Sequence, residues 1–174
     1  MSRVWAVVAL AFIIAGCGYA LAGKYNNMPA HIKRIGVPTF QNLSPIADLD
    51  RLFTEAVKAE LRSRGKFTIV SDATGVDAVL TGSILSVAFE PMAFSPTQQA
   101  SQYSVTVIAT GDFKEIKDSK THPTQSIRAM EPYDLPSGAL VTDLASLFIQ
   151  DRNALERLAK KFADTLVTQI LDMY

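Results

Sequence analysis

The 174-residue sequence has one cysteine, two histidines and no excess of charge of either sign. Its one cysteine, Cys17, can form no disulfide within the chain and no cysteine-based metal site. The 17 basic residues are balanced by 17 acidic ones, so no strong positive field favours nucleic acid. No internal repeat or low-complexity tract stands out. Hydrophobic residues make up 48% of the chain, which is enough for one domain with an ordinary core.

The single cysteine follows the most apolar stretch of the sequence. Arg3 is the only charged residue before it, and an uncharged run from Val4 to Ile14 leads to Ala15 and Gly16. A charge, an apolar run and then small residues are typical of a secretory signal. The run is too short for a membrane span, which needs about 20 apolar residues.

The residues Ile14-Ala15-Gly16-Cys17 resemble a bacterial lipobox. The resemblance implies that residues 1–16 are a signal peptide and that Cys17 becomes the lipidated first residue. The alternative is an uncleaved signal anchor with an incidental cysteine. Three acyl chains would hold the protein on a membrane, because one chain alone binds only marginally. In sorted lipoproteins of Gram-negative bacteria, a residue other than Asp after the cysteine favours the outer membrane, and Gly18 stands there.

Residues 17–31 have little apolar periodicity and are predicted to form a tether to a domain over residues 32–174. The first strand of that domain is expected at a sheet edge or to stop at Pro38. A helix is predicted over about Ile46–Arg64, with Ser44 as its N-cap. Residues 92–102 are predicted to be a mobile polar loop.

The cleanest strand pattern spans residues 103–116, with apolar side chains on one face and Ser104, Thr106 and Thr110 on the other. In the strand before it, the apolar positions change phase near Ile84 and Leu85, so either a bulge or burial on both faces is expected there. A returning strand is predicted over residues 125–131. The strongest helical stripe runs to Leu171, with Asp151 or Asn153 as cap; residues 141–150 either join it or form a separate helix.

These elements predict an α+β fold, a two-layer sandwich. Two amphipathic helices would pack on one face of a mostly antiparallel sheet of four to five strands. The side chains expected to be buried between the layers are Leu52, Phe53, Val57, Phe162, Leu166 and Ile170.

The sequence shows no catalytic constellation. His31 and His122 lie in loop contexts without acidic or cysteine neighbours at ligand spacing, so they are predicted to be solvated or packed rather than metal ligands or bases. The Gly65-Lys66 pair lacks the upstream glycine of a phosphate loop, and Gly82-Ser83 lacks the second glycine of a nucleophile elbow. We therefore expect no enzyme activity, no cofactor and no metal.

Four basic residues flank one predicted hairpin and could contact phosphorylated lipid: Lys114, Lys117, Lys120 and Arg128. The favoured interpretation is a solvated hairpin tip. Acidic residues interleave with the basic ones and weaken the anion-binding alternative: Asp112, Glu115 and Asp118.

The order of short motifs resembles the lipopolysaccharide-assembly lipoprotein family LptE. The motifs are Gly18-Tyr19 after the lipobox, "IKRIGVPTFQN" from Ile32, the Leu52–Leu61 segment and "DAVLTGSI" from Asp77. The resemblance is firm from Cys17 to about Ile84 and looser beyond it.

The resemblance implies a small α/β sandwich, lipid-anchored to the periplasmic side of the outer membrane. It implies that the domain plugs an LptD-like β-barrel and that the two together place lipopolysaccharide in the outer leaflet. The partners would be that barrel, lipopolysaccharide and, through the acyl chains, the membrane, with no nucleic acid. The family's lipid-contacting residues are not transferred to this sequence, because they cannot be aligned with it.

Two alternatives remain open. Secretion lipoproteins of the CsgG-like class also combine a lipobox with strands like "VPTFQN" and segments like "DAVLTG". A lipid-anchored hydrolase would need a nucleophile with a positioned base, and the sequence offers none.

Overall fold

The computed structural model describes residues 28–65, 67–96, 99–136, 142 and 144–174. Cys17, the predicted signal peptide and most of the predicted tether lie outside these residues. The described residues form seven strands and three helices. The strands are β1 (Arg34–Gly36), β2 (Gln41–Asn42), β3 (Thr68–Val70), β4 (Ala78–Phe94), β5 (Ala100–Glu115), β6 (Thr121–Pro123) and β7 (Ile127–Asp134). The helices are α1 (Leu49–Arg64), α2 (Leu144–Gln150) and α3 (Arg152–Leu171).

One mixed sheet contains all seven strands, in the order β3-β1-β4-β5-β6. The short strand β2 pairs with β4 beyond β1, and β7 pairs with β5 beyond β6. The predicted α+β fold, with helices packed on a sheet, is confirmed. A strand is predicted over residues 66–71 and is confirmed as β3, but the predicted sheet was too small, because β2 and β6 have only two or three residues, too few for a periodic pattern. The sheet is also mixed, whereas the sequence predicted a mostly antiparallel one. Strands β1 and β3 run parallel because the chain between them returns through α1.

The first strand ends before Pro38, as the sequence predicts, and pairing with β4 resumes at β2. Asp77 fixes the start of β1 beside β4, because its Oδ2 accepts hydrogen bonds of 2.8 Å from the backbone N–H groups of Lys33 and Arg34. These two bonds hold the pKa of Asp77 below its usual value. The aspartate that opens the "DAVLTG" motif is therefore a structural residue of the sheet.

Helix α1 begins at Leu49, so the predicted start at Ile46 is wrong. Ser44 takes part in a turn instead of capping the helix. Its backbone N–H donates to Asn42 Oδ1 at 3.0 Å, and the Asn42 side-chain amide donates to the Ile46 carbonyl at 2.6 Å. These local bonds hold the chain in a non-helical conformation up to Asp48, whose φ of 62° is left-handed.

The predicted loop over residues 92–102 is wrong at both ends, because β4 extends to Phe94 and β5 begins at Ala100. The two strands pair as far as Phe94 and Ala100, and Ser95 N–H donates to the Gln99 carbonyl at 2.7 Å. The expected bulge is confirmed by a register shift between Ile84 and Ser86. Further shifts near the end of β4 break the period-two pattern, which is why the sequence resembles a loop there.

The returning strand is confirmed as β7 and is longer than predicted, since it passes through Pro132. Among the described strands, β7 pairs only with β5, so a proline without an N–H group is tolerated on it. Residues Leu144–Gln150 form the separate helix α2. Asp151 caps α3 as predicted, because its Oδ1 accepts a 3.0 Å hydrogen bond from the Ala154 N–H.

The core lies between the helices and the sheet. Five of the six side chains predicted to be buried there have 0% exposure: Phe53, Val57, Phe162, Leu166 and Ile170. Leu52 is half-buried, which corrects the sixth assignment. Met28 and Ile32 also belong to the core cluster, so packing begins within the segment predicted to be a tether. Among the described residues, no helix is both long and apolar enough to cross a membrane.

Candidate functional site

The side of the sheet that faces away from the core is the main candidate for binding. We call the outward side chains of β4, β5 and β7 the open face. Burial alternates strictly along β7, and the same alternation holds over most of β5. The open face contains Ser83, Ser86, Ala88 and Glu90 from β4, Ser104, Thr106, Ile108, Thr110, Asp112 and Lys114 from β5, and Arg128, Met130, Pro132 and Asp134 from β7.

Small hydroxyl side chains dominate the middle of the open face. Thr106 lies between Ala88 on β4 and Met130 on β7, and Ser104 lies between Glu90 and Pro132. The sequence correctly predicted that Ser104, Thr106 and Thr110 share this side. Thr106 is itself buried, so Ser104 and Thr110, which are partly exposed, supply the hydroxyls that this surface offers. The open face therefore suits contact with another polar surface better than burial of an apolar ligand.

The structure brings three of the four predicted lipid-contacting residues together and separates the fourth. Lys114 lies at the end of β5, and Lys117 and Lys120 follow in the β5–β6 turn, all exposed. Arg128 pairs with Ile108, which precedes Lys114 by six residues on β5. The backbones of Arg128 and Lys114 therefore lie about 20 Å apart. We call Lys114, Lys117 and Lys120 the lysine hairpin. Exposed Asp112 and Asp118 lie among these lysines and reduce its net charge.

Glu115, at the end of β5, is a buried carboxylate with three polar neighbours that the sequence analysis missed. It accepts hydrogen bonds from the Tyr174 hydroxyl at 2.6 Å and from His122 Nε2 at 3.1 Å, and His31 Nε2 lies 3.4 Å from its other oxygen. Both histidines therefore lie beside an acidic residue in the folded protein, although neither has one at ligand spacing in the sequence. The cause is that β1, β5, β6 and the end of α3 meet here from distant parts of the sequence.

Hydrogen bonding and burial shift the pKa values of Glu115 and Tyr174. The bond from Tyr174 holds the pKa of Glu115 below its usual value, and the bond from His122 acts in the same direction, against the effect of burial. Burial and the neighbouring carboxylate raise the pKa of the Tyr174 hydroxyl, which therefore stays protonated and able to donate.

A second buried carboxylate, Glu131 of β7, joins the sheet to α3. Arg157 donates to its Oε1 and Lys161 to its Oε2, while Glu131 itself is only 4% exposed. Burial raises the pKa of Glu131, but the bonds from Arg157 and Lys161 outweigh it and lower the pKa overall. Glu131 lies on the helix-covered side, so it stabilises the fold and does not face a ligand on the open face.

A groove lies between the start of α1 and the junction of α2 and α3. Its volume is about 320 Å³, and its described lining consists of Ile46, Ala47, Asp48, Leu49, Arg51, Leu52, Ile149, Gln150, Arg152 and Leu155. Among these described residues there is no serine, cysteine, threonine, lysine or histidine. The mixture of apolar side chains with two arginines is compatible with binding.

A helix-covered sheet with a polar open face is typical of a small α+β binding module. The chain belongs to the LptE family of lipopolysaccharide-assembly proteins, whose family model matches residues 32–170. Because the match covers most of the chain, it confirms the family resemblance of the motifs from Ile32 onward.

Solved structures share this fold at low sequence identity. Lipoprotein B from Nitrosomonas europaea has a TM-score of 0.55 at 11% identity, over 90% of this chain and 92% of that chain. The protein CT253 from Chlamydia trachomatis has a TM-score of 0.52 at 11% identity, over 80% of this chain and 96% of that chain. Identities this low establish a common fold and nothing more. Comparison of the sequence with curated proteins gave no significant match.

Proposed function

We propose that this protein is an outer-membrane lipoprotein that binds and plugs an LptD-like β-barrel and assists its assembly and the insertion of lipopolysaccharide into the outer leaflet. Membership of the LptE family supports a role in lipopolysaccharide assembly. The lipobox-like residues before Cys17 support an N-terminal lipid anchor on the periplasmic side. In this account the chain is not an enzyme and acts by binding.

The observation that carries the proposal is the polar open face. The lumen of a transmembrane β-barrel is polar, so a domain placed inside it needs a surface that forms hydrogen bonds. The hydroxyls of Ser104 and Thr110 are partly exposed on the central strand of the open face, and Arg128 is exposed beside them on β7. A polar sheet surface of this kind can lie against the inner wall of a barrel, where side chains alternate between lumen and lipid.

The proposed anchor favours this partner further. Since Met28 already belongs to the core, only residues 17–27 would link the lipid to the domain. That segment spans at most about 40 Å when fully extended, at about 3.5 Å per residue. Confinement so close to the membrane raises the effective concentration of the domain for a membrane-embedded partner. Even a modest interface would then be occupied most of the time.

We assign the lysine hairpin the contact with lipopolysaccharide phosphates. Lysine binds phosphate as a point charge, and three lysines of one hairpin can approach an anionic surface together. Arg128 lies apart from them on the open face and would contact lipid or barrel independently.

Site-specific photocrosslinking tests the proposal. A photoreactive residue at Thr110 should crosslink the full-length protein to a large outer-membrane barrel, which mass spectrometry would identify as LptD-like. A photoreactive residue placed instead of Arg62, which is exposed on α1, probes the opposite side of the domain. Crosslinks from Thr110 only to further copies of this chain would favour a ring-forming secretion factor of the CsgG-like class. An uncrosslinked protein with measurable hydrolytic turnover would favour the enzyme alternative.

A further inference from the structure

Three side chains with metal-ligating atoms converge at the end of the sheet near the lysine hairpin. They are His31, which precedes β1, Glu115, which ends β5, and Asp118, which lies in the β5–β6 turn. One ligand atom from each lies within 4.8 Å of the other two. Neither the family nor the proposed function assigns a role to this group.

His31 and Glu115 have the spacing of two ligands on one ion. His31 Nε2 lies 3.4 Å from Glu115 Oε2, which is longer than a good N–H···O hydrogen bond. In a tetrahedral zinc site with bonds of about 2.0–2.1 Å, neighbouring ligand atoms are about 3.4 Å apart. A small displacement of Asp118, which is exposed in a turn, would complete a third corner.

The carboxylate of Glu115 is held in place by its other oxygen. Tyr174 and His122 both donate to Oε1, at 2.6 and 3.1 Å, which leaves Oε2 directed to His31. Groups that hydrogen-bond to a metal-ligating carboxylate orient it and strengthen metal binding. The Glu115 side chain is 5% exposed, while His31 is 36% exposed, so an ion can approach from the His31 side.

We propose that His31 Nε2, Glu115 Oε2 and the Asp118 carboxylate bind one Zn²⁺ ion, with solvent at the fourth position. One imidazole nitrogen and two carboxylate oxygens form a donor set that zinc accepts readily. Magnesium and calcium prefer sites made entirely of oxygen, so the imidazole favours a transition metal over them. The two carboxylates neutralise the charge of the ion.

Such an ion would tie the entry of the domain to the lysine hairpin. Met28 and Ile32 flank His31 and pack in the core, so His31 lies where the proposed tether joins the domain. Coordination by Asp118 would fix the β5–β6 turn, which carries Lys117 and Lys120, relative to that point. The ion would therefore set the orientation of the lysine hairpin with respect to the membrane anchor. This structural role goes beyond the proposed function and does not depend on the identity of the barrel.

Zinc titration of the full-length protein tests the proposal directly. The protein is purified in detergent without a histidine tag, stripped with a chelator and titrated with Zn²⁺ in a calorimeter, and its melting temperature is measured with and without zinc. The expected results are one ion per chain and a higher melting temperature with zinc, because an ion that binds only the folded state stabilises it. Magnesium at the same concentration should produce neither effect.

Variants at the two exposed ligands decide whether the binding occurs at this site. His31→Ala and Asp118→Asn should each weaken zinc binding at least about tenfold, since each removes a direct ligand. Asp112→Asn removes another exposed carboxylate of the same hairpin and should leave the affinity unchanged. The test does not rely on Glu115→Gln, which can unfold the protein by disturbing a buried group. Failure of the folded wild type to bind zinc would overturn the proposal, as would equal affinity in wild type, His31→Ala and Asp118→Asn.

Discussion

The rings of Phe53 on α1 and Phe162 on α3 pack with their centroids 5.0 Å apart, in the middle of the core. Phe40, which links β1 and β2, meets Phe162 edge-on at 6.3 Å. The ring of Phe40 lies against Gly82 of β4, where an added Cβ would come within 2.7 Å of it. Phe162 thus joins both long helices to the sheet that presents the open face.

Phe162→Ala should lower the free energy of unfolding by about 3–5 kcal/mol, because the residue has 0% exposure and its removal leaves a cavity. Chemical denaturation of the purified protein measures this change. Phe94→Ala is the matched control: Phe94 is 63% exposed at the end of β4, and its truncation should change stability by less than about 0.5 kcal/mol. Equal effects of the two variants would contradict the packing described here.

The sequence predicted these helices well because each carries a long stripe with helical spacing, of which Phe53, Val57, Phe162 and Leu166 are part. The same reasoning failed where local hydrogen bonds or short pairings decide the structure. The turn bonds of Asn42 and Ser44 displaced the start of α1, and the two strands that were not predicted, β2 and β6, have only two or three residues and carry no readable period. Sequence patterning detects repeated burial but not single contacts between distant residues.

Glu131→Gln should reduce stability by about 1–3 kcal/mol at neutral pH, because it removes a buried charge that accepts hydrogen bonds from Arg157 and Lys161. Both partners are about half exposed, at 54% and 53%, and regain solvent contact, which keeps the loss moderate. The measurement is denaturant unfolding of the wild type and the variant in parallel.

The pH dependence of that difference follows from the lowered pKa of Glu131. A carboxylate with a depressed folded-state pKa contributes its full stability above the ordinary value of 4.5 and loses it as the pH falls through the folded-state pKa. The wild type and Glu131→Gln should therefore converge in stability as the pH falls below 4.5 and through the lowered folded-state pKa of Glu131. A stability difference that stays constant over this range would show that the charge of Glu131 does not stabilise the fold.

Cys17→Ala should abolish lipidation, because Cys17 is the only thiol in the chain. Metabolic labelling with a fatty acid should mark the wild type and leave the variant as an unlabelled, full-length precursor. Cys17→Ser serves as a second variant of similar size that also lacks the thiol. Labelling of these variants at the wild-type level would contradict the proposed anchor.

Reversing the charge of the lysine hairpin should weaken binding of lipopolysaccharide. The double variant Lys117→Glu/Lys120→Glu should lose at least about tenfold in affinity, since each basic residue near an anionic lipid surface contributes about 1 kcal/mol. Binding of purified lipopolysaccharide to the full-length protein at low salt measures the effect. Lys160→Glu, on the exposed side of α3, is the control and should have little effect. An equal loss of lipopolysaccharide affinity in the double variant and in Lys160→Glu would indicate that binding depends only on net charge.

The candidate site was only partly readable from the sequence. The open face follows from the alternation along β5, which holds around Thr110 in the structure but is interrupted at Thr106, where the side chain is buried. The separation of Arg128 from Lys114 depends on the register between β5 and β7, which composition does not encode. The convergence of His31 and His122 on Glu115 joins four segments of the chain, so no motif at fixed spacing could reveal it.

The central claim is that the protein assists folding of an LptD-like barrel and occupies its lumen. The most direct test is the heat-modifiable electrophoretic mobility of that barrel after depletion of this protein from its own host. The account predicts that the folded, heat-modifiable form declines on depletion, together with surface lipopolysaccharide, and that both return when the wild type is restored. A barrel that folds normally in the depleted cells, while a different envelope process fails, would contradict the account and favour the secretion-factor alternative.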